Sequence, residues 1–389
     1  MIVGIVGAGT MGTGIAQVAL QAGHEVVLHD VDERAIERGR QRIESGLSRL
    51  VEKGRLADAV LTTTHERLRE ANSLAAVADD ADVVVEAALE DLALKQTIFQ
   101  ALDSAAPVNT LLATNTSALS VSEIADATGR PERVLGLHFF NPAPVMPLVE
   151  VVAARLTSSR ALNAGLEFSE GLGKTPVVCR DAPGFIVNRV NRPFTLEALR
   201  MLEAGEAGVR EIDRALTAAG YPMGPFQLMD LVGIDVNLAV ATALYEAFDH
   251  AERFRPSPIQ QALVAKGTLG RKTGSGFYRY DALQGPAVGQ PAALEPGTAT
   301  SMPELRDEEI VERIELPIVN EAYHAAGEEV ASPPDIDRAM KLGANHPHGP
   351  FERARALGLR AVIEGLQRLE RAHGERFRVA PALWQVANV

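Results

Sequence analysis

The stretch Met1-Ile2-Val3-Gly4-Ile5-Val6-Gly7-Ala8-Gly9-Thr10-Met11-Gly12 constrains the fold more than any other. An apolar run breaks into glycines and then resumes at helical spacing through Ile15, Val18 and Ala19. The pattern predicts a strand, a phosphate-type turn and a helix. Gly7 permits the tight turn, Gly9 lets the backbone approach a pyrophosphate, and Gly12 lets the helix pack close to its strand. Thr10 and Met11 then stand at the helix N-terminus, where free N–H groups attract anions. Such a turn also occurs in proteins that hold no nucleotide. Here, however, a second strand over Glu25–His29 ends at Asp30, 23 residues after Gly7, where a carboxylate would meet a ribose hydroxyl. The context points to a bound dinucleotide.

The following pattern continues this architecture. Glu33 to Lys53 places Ile36, Ile43, Leu47, Leu50 and Val51 near one face and charges elsewhere, which predicts a long amphipathic helix. Asp82–Glu86, Thr110–Thr114, Arg133–His138 and Leu148–Val152 read as buried strands, with a helix over Leu92–Leu102 and an expected parallel βα alternation throughout. Asp181-Ala182-Pro183-Gly184 signals a boundary, and helices follow almost exclusively, beginning with Phe185 to Glu203.

The helical part is repeated. Arg189 and Pro193 match Arg313 and Pro317, Glu197-Ala198 matches Glu321-Ala322, and Ile212-Asp213-Arg214-Ala215 matches Ile336-Asp337-Arg338-Ala339 at one offset. Gly224-Pro225-Phe226 then matches Gly349-Pro350-Phe351 one residue later. This many matches make a duplication. The expected fold class is an α/β Rossmann-type domain over residues 1–180, followed by two tandem all-α domains. These are residues 181–280, a linker over 281–306, and a second, degenerate copy over 307–389.

Composition narrows the class of ligand. A net charge of −13 argues against nucleic acid and against anionic membrane surfaces as partners. Neither a long uninterrupted apolar run nor a basic cleavable N-terminal segment is present. One cysteine, Cys179, excludes an internal disulfide framework and fits a reducing, cytoplasmic setting. The histidines form no zinc-type spacing, and no metal is expected.

Four polar groups fall where a dinucleotide fold places its chemistry: Asn115-Thr116-Ser117 after a strand, His138 closing another, Glu150 within the next, and Asn188 in the first helix past the boundary. A histidine can take a hydroxyl proton near neutral pH, and a carboxylate on its other nitrogen fixes the tautomer. Taken singly, each residue has a plainer reading: a hydrogen-bonded strand-end histidine, a Val-Glu-Val carboxylate facing water.

Together with Lys272-Thr273-Gly274-Ser275-Gly276-Phe277-Tyr278, His138-Phe139-Phe140-Asn141-Pro142 and Pro183-Gly184-Phe185-Ile186-Val187-Asn188-Arg189, these motifs resemble those of the L-3-hydroxyacyl-CoA dehydrogenases over residues 1 to 280. The resemblance implies a His138–Glu150 catalytic pair, with Ser117 and Asn188 binding substrate oxygens. It also implies NAD contacts from Asp30, Glu90, Lys95, Ser117, Asn141 and Lys272, beside the glycine turn and Asn115. Lys53 matches a lysine that meets coenzyme A, while Gly46 stands where a serine usually accompanies it. Pro147 is similar to the large multifunctional fatty-acid oxidation subunits, which also carry the helical domain twice; only their dehydrogenase portion is expected here.

The implied reaction is NAD-dependent interconversion of a (3S)-3-hydroxyacyl-CoA and its 3-ketoacyl-CoA. Two alternatives stay open: a hydroxyacid or sugar-acid dehydrogenase resembling the gulonate dehydrogenases, and a non-catalytic NAD-binding structural protein. In the second copy Glu312 replaces Asn188 and Asp307-Glu308-Glu309 replaces the Pro-Gly-Phe entry. That copy is expected to take a dimer partner's place, giving an intrachain pseudo-dimer that is a monomer or that oligomerises through another surface.

Overall fold

The computed structural model describes residues 1–57, 59–280, 290–291 and 305–387. Eight strands form one sheet: β1 (Ile2–Val6), β2 (Glu25–His29), β3 (Leu68–Glu70), β4 (Val83–Glu86), β5 (Leu111–Thr114), β6 (Val134–Phe139), β7 (Leu148–Ala153) and β8 (Thr175–Arg180). Their order is β3-β2-β1-β4-β5-β6-β7-β8. Chain direction across the sheet reverses its progression between β1 and β4, so a crevice opens beyond their carboxyl ends, beside the glycine turn. Val3, Ile5, Val26, Leu28, Val83 and Val85 form the middle of the core.

All neighbouring strands run parallel except β6 and β7. The expected parallel alternation fails at that pair. Only the short turn 140–147 joins them, and a parallel crossover needs a dozen or more residues. β3 and the helix Ser159–Gly171 were not among the expected elements. The long helix forms as expected, over Glu33–Glu52, because the Asp32 carboxylate accepts from Arg34 N at 3.0 Å and Ile36, Ile43 and Leu47 pack inward.

Two compact units result, residues 1–185 and 186–389. Next to the expected boundary at 180, Asp181 is tied to the first unit: its carboxylate accepts from Ser120 Oγ and from Val121 and Ser122 N, at the start of the helix Val121–Ala125, at 2.7–3.1 Å. The expected helix from Phe185 also starts later. Gly184 and Phe185 both take positive φ, 73° and 46°, and the helix begins as Val187–Val190 before Arg192–Glu203. Phe185 is buried, so its apolar character suited either reading.

The second unit holds both helical copies as one body. Helices Val209–Ala218, Pro225–Val232, Ile234–Ala247 and Pro258–Ala265 recur as Pro333–Gly343, Pro350–Leu357, Leu359–His373 and Pro381–Ala387. Local chemistry repeats too. Asp213 accepts from Phe226 N and Gln227 N at 2.9 and 3.2 Å, and Asp337 accepts from Phe351 N and Glu352 N at 2.7 and 3.1 Å. A β-carbon on Gly224 or Gly349 would strike that carboxylate side chain, at 2.2 and 2.3 Å respectively. Within the expected linker, residues 281–289 and 292–304 lie outside the described residues, while Gln290–Pro291 pairs antiparallel with Tyr278–Arg279.

Candidate active site

The glycine turn is built for close approach. A β-carbon on Gly7 would lie 2.6 Å from the Ala87 carbonyl, and one on Gly12 would lie 1.8 Å from the Gly7 carbonyl. Gly9 differs: nothing lies within 4 Å of its missing β-carbon. It caps the helix Thr10–Gln21, whose first N–H groups, at Thr10 and Met11, adjoin that open space. Asp30 closes the far side. One carboxylate oxygen accepts from Ala8 N at 2.7 Å and the other from Asp32 N at 3.0 Å, so the acid is tied to the turn itself.

Past β4 the carboxylates form a layered cluster. Glu86 is fully buried and accepts from Lys95 Nζ at 2.6 Å, Thr114 Oγ1 at 2.7 Å and Ala88 N at 2.7 Å. Glu90 accepts from Thr116 Oγ1 at 2.6 Å, Ser117 N at 2.8 Å and Ala118 N at 3.1 Å, with Lys95 at 3.5 Å. Burial works against the Glu90 charge, but the Thr116 hydroxyl, the Lys95 ammonium and the backbone donors outweigh it and hold the carboxyl below its usual range. Lys95 is 1% exposed. It therefore sits behind Glu90, bracing the carboxylates. Glu86 and Thr114 entered the sequence reading only as strand residues, and Thr116 only within Asn115-Thr116-Ser117. The available signal was an acid ending the otherwise aliphatic strand Val83-Val84-Val85-Glu86.

His138 and Glu150 are direct cross-strand neighbours in the antiparallel β6–β7 register. His138 Nδ1 lies 2.6 Å from Glu150 Oε2. Glu150 is 0% exposed, so it does not face water, as an isolated Val-Glu-Val suggests. The rings of Phe140 and Phe185 stand 4.5 and 5.7 Å from the imidazole. With Nδ1 engaged by a carboxylate, the Nε2 lone pair is left to accept a proton. Asn115 Oδ1 accepts from Phe139 N at 2.9 Å and so locks the end of β5 to β6. Ser117 also offers its hydroxyl to Glu90, at 3.3 Å. Asn141 is exposed and precedes a cis peptide bond to Pro142.

Lys53 caps the C-terminus of helix Glu33–Glu52 and is exposed. Gly46 has a local cause: a β-carbon there would lie 2.3 Å from Gln17 Oε1, so the glutamine side chain fills the place a serine would take. In the second unit Asn188 lies in the short helix Val187–Val190, half-buried. Lys272 Nζ donates to both oxygens of Asp235 at 2.5 and 2.6 Å. Burial opposes the Asp235 charge, and the lysine outweighs it, holding the carboxyl below its usual range. Among the described residues no group of three or more metal-ligating side chains gathers, and no single helix is long and apolar enough to cross a membrane.

A glycine turn at the head of a doubly wound sheet, an acid at the end of the second strand and a buried histidine–carboxylate pair define an NAD-dependent oxidoreductase. The family model for the 3-hydroxyacyl-CoA dehydrogenase NAD binding domain matches residues 2–182, and that for the C-terminal domain matches residues 184–280 and again 310–389. The chain belongs to the 3-hydroxyacyl-CoA dehydrogenase family. It is 36% identical to the 3-hydroxyadipyl-CoA dehydrogenase of Escherichia coli, over 99% of this chain and 97% of that protein. It is 44% identical to the mitochondrial hydroxyacyl-coenzyme A dehydrogenase of Rattus norvegicus, over 71% of this chain and 90% of that protein. The crystal structure of a 3-hydroxybutyryl-CoA dehydrogenase from Escherichia coli superposes with a TM-score of 0.89 at 35% identity, covering 100% of this chain and 98% of that one.

Proposed function

We propose that the chain interconverts (3S)-3-hydroxyacyl-CoA and 3-ketoacyl-CoA. The observation that carries this reading is the 2.6 Å contact between His138 Nδ1 and the fully buried Glu150. His138 takes the 3-hydroxyl proton on Nε2 in the oxidative direction and returns it in the reductive one. Glu150 holds the tautomer and stabilises the imidazolium that forms. Ser117 and Asn188 donate to the substrate's oxygens, and Lys53 meets the coenzyme A moiety. NAD, when bound, accepts the hydride from C3.

The residues present fit NAD: the open space at Gly9 admits phosphates to the helix N-terminus, and Asp30 offers a carboxylate to a ribose hydroxyl. Glu90, Asn115, Ser117, Asn141 and Lys272 complete the set, with Lys95 acting through Glu90. The buried Cys179, the only cysteine, supports a reducing, cytoplasmic setting.

The test is a panel of 3-ketoacyl-CoA thioesters assayed with NADH by nicotinamide absorbance. Turnover of the thioesters, with none of free 3-hydroxy acids or sugar acids with NAD, separates this reading from a gulonate-type dehydrogenase. A protein that binds NADH but turns over nothing is the structural alternative.

We also infer that residues 307–389 take the place of a dimer partner. Two ion pairs between the copies support it, because each is formed twice with the copies exchanged: Arg189–Glu321 with Arg313–Glu197, and Arg253–Glu321 with Arg376–Glu197. Such reciprocity is the mark of a two-fold interface.

A further inference from the structure

The helical unit buries four arginines among the described residues: Arg189, Arg192, Arg200 and Arg313. Three of them face carboxylates. Arg189 meets Glu321 and Glu328, Arg200 meets Glu197, and Arg313 meets Glu197 and Glu206. Arg192 meets none. It is 5% exposed, and its hydrogen-bond acceptors are the backbone carbonyls of Asn188 and Asn237, each at a long 3.4 Å. Burial pulls its guanidinium down to about 10, and no neighbouring charge offsets that. Beside it, Asn237 Oδ1 accepts from Gln260 Nε2 at 2.8 Å, while the buried Gln260 Oε1 accepts nothing. A buried cation without a counter-charge is strongly unfavourable unless a ligand supplies one.

The duplication provides an internal control. Arg192, Asn237 and Gln260 correspond to Leu316, Val362 and Leu383, at the offsets set by Arg189 and Arg313, by Gly233 and Gly358, and by Phe254 and Phe377. All three counterparts are buried and apolar. Aliphatic side chains therefore satisfy the fold at these positions, and helix packing does not require the polar trio. Glu312, Leu316 and Val362, the counterparts of Asn188, Arg192 and Asn237, together line an open cavity of about 640 Å³. In the first copy these positions carry Asn188, Arg192 and Asn237, and the Arg192 guanidinium lies against the backbone carbonyls of the other two.

We infer that Arg192 binds a carboxylate at the far end of the acyl chain, so that the preferred substrates are short 3-hydroxyacyl-CoA thioesters ending in a carboxylate. This rests on the 3-hydroxyacyl-CoA reading above. The Arg192 guanidinium reaches back to the Asn188 carbonyl, 3.4 Å from Nε, so the cation stands beside the residue that would hold the C3 oxygen, within reach of a carboxyl group a few carbons further along the acyl chain. A guanidinium offers a carboxylate two parallel charge-assisted hydrogen bonds. A methyl-ended chain leaves the cation unpaired, and that difference is the source of discrimination.

The test compares two six-carbon 3-oxoacyl-CoA thioesters, one ending in a carboxylate and one in a methyl group, with NADH and the full chain. The wild type should favour the carboxylate by on the order of 10²-fold in kcat/KM, carried mainly by KM. Arg192→Leu, which installs the second copy's own residue, should reduce that ratio to a few-fold, and Arg192→Lys should retain part of it. Equal use of both thioesters by the wild type overturns the inference, as does a full preference in Arg192→Leu. Should Arg192→Leu fail to fold, the wild-type ratio and Arg192→Lys still decide. Turnover of neither thioester instead overturns the 3-hydroxyacyl-CoA reading itself.

Discussion

Arg189 donates to Glu321 at 2.6 Å, and their counterparts repeat the contact with the copies exchanged, Arg313 reaching Glu197 at 3.4 Å. Both carboxylates are buried, and each also receives a second arginine from the opposite copy, Arg253 and Arg376 respectively, at 2.9 Å. Charges this deep are tolerated because each is paired, so their geometry ties the two copies into one body.

Glu321→Met should therefore destabilise the helical unit by about 1.5–3 kcal/mol, since it removes the charge-assisted hydrogen bonds to Arg253 and to the fully buried Arg189, which keeps only Glu328. Urea unfolding followed by circular dichroism measures this. A loss below about 1 kcal/mol would mean that the pair behaves like an exposed one.

Truncation after Tyr280 should give an aggregating, destabilised protein or a new dimer. Removing the second copy uncovers Arg189, Arg253 and Glu197 along with their apolar surroundings, and such a face needs a partner. Light scattering and thermal unfolding read the outcome. A truncated chain that stays monomeric and equally stable refutes the pseudo-dimer.

His138→Ala and Glu150→Gln should each lower turnover by roughly 10²–10⁴-fold with NADH affinity retained, because acid–base groups contribute on that scale. Stopped-flow hydride transfer and NADH fluorescence titration separate the two effects. Near-normal turnover in either variant removes that residue from the chemistry.

NADH should be preferred over NADPH by on the order of 10²-fold or more, since a 2′-phosphate against the Asp30 carboxylate is a like-charge contact. Asp30→Ala should narrow the preference and also weaken NADH binding, because the same carboxylate holds Ala8 N in the glycine turn. Comparable kcat/KM values for the two cofactors in the wild type count against the assignment.

Acidification should loosen the helical unit through His346. Its Nε2 bonds Asn191 Oδ1 at 2.8 Å, the rings of Phe194 and Tyr221 pack on it, and His348 and Glu315 are the charged neighbours. Burial pulls its pKa down to about 3, below the 6.5 of the unfolded chain. The unfolded state thus binds the extra proton between those values, and stability present above pH 6.5 declines as the pH falls toward 3. His346→Gln should flatten the fall in melting temperature between pH 7 and 4.5. An unchanged slope shows that other groups set it.

Much of this was legible in the chain. Gly7, Gly9, Gly12 and Asp30 declare the dinucleotide fold because glycine conformations and spacing are local properties. The repeat at Arg189/Arg313 and Asp213/Asp337 is visible by comparing the chain with itself. Lys95 and Glu86 were not legible in the same way, since an acid and a lysine nine residues apart carry no sign of being folded inward on one another.

The sequence by itself determined the α/β domain, the tandem helical copies and the types of the reacting side chains, because periodicity and turn chemistry act over neighbouring residues. Tertiary structure alone decided the rest. The antiparallel register of β6 and β7 set His138 against Glu150, twelve residues away, where parallel alternation had been expected. Packing also decided which buried charges find partners: Arg189 finds Glu321 across the copies, 132 residues away, while Arg192 finds only carbonyls. Desolvation depends on what the whole fold brings near a group, and no local pattern encodes that.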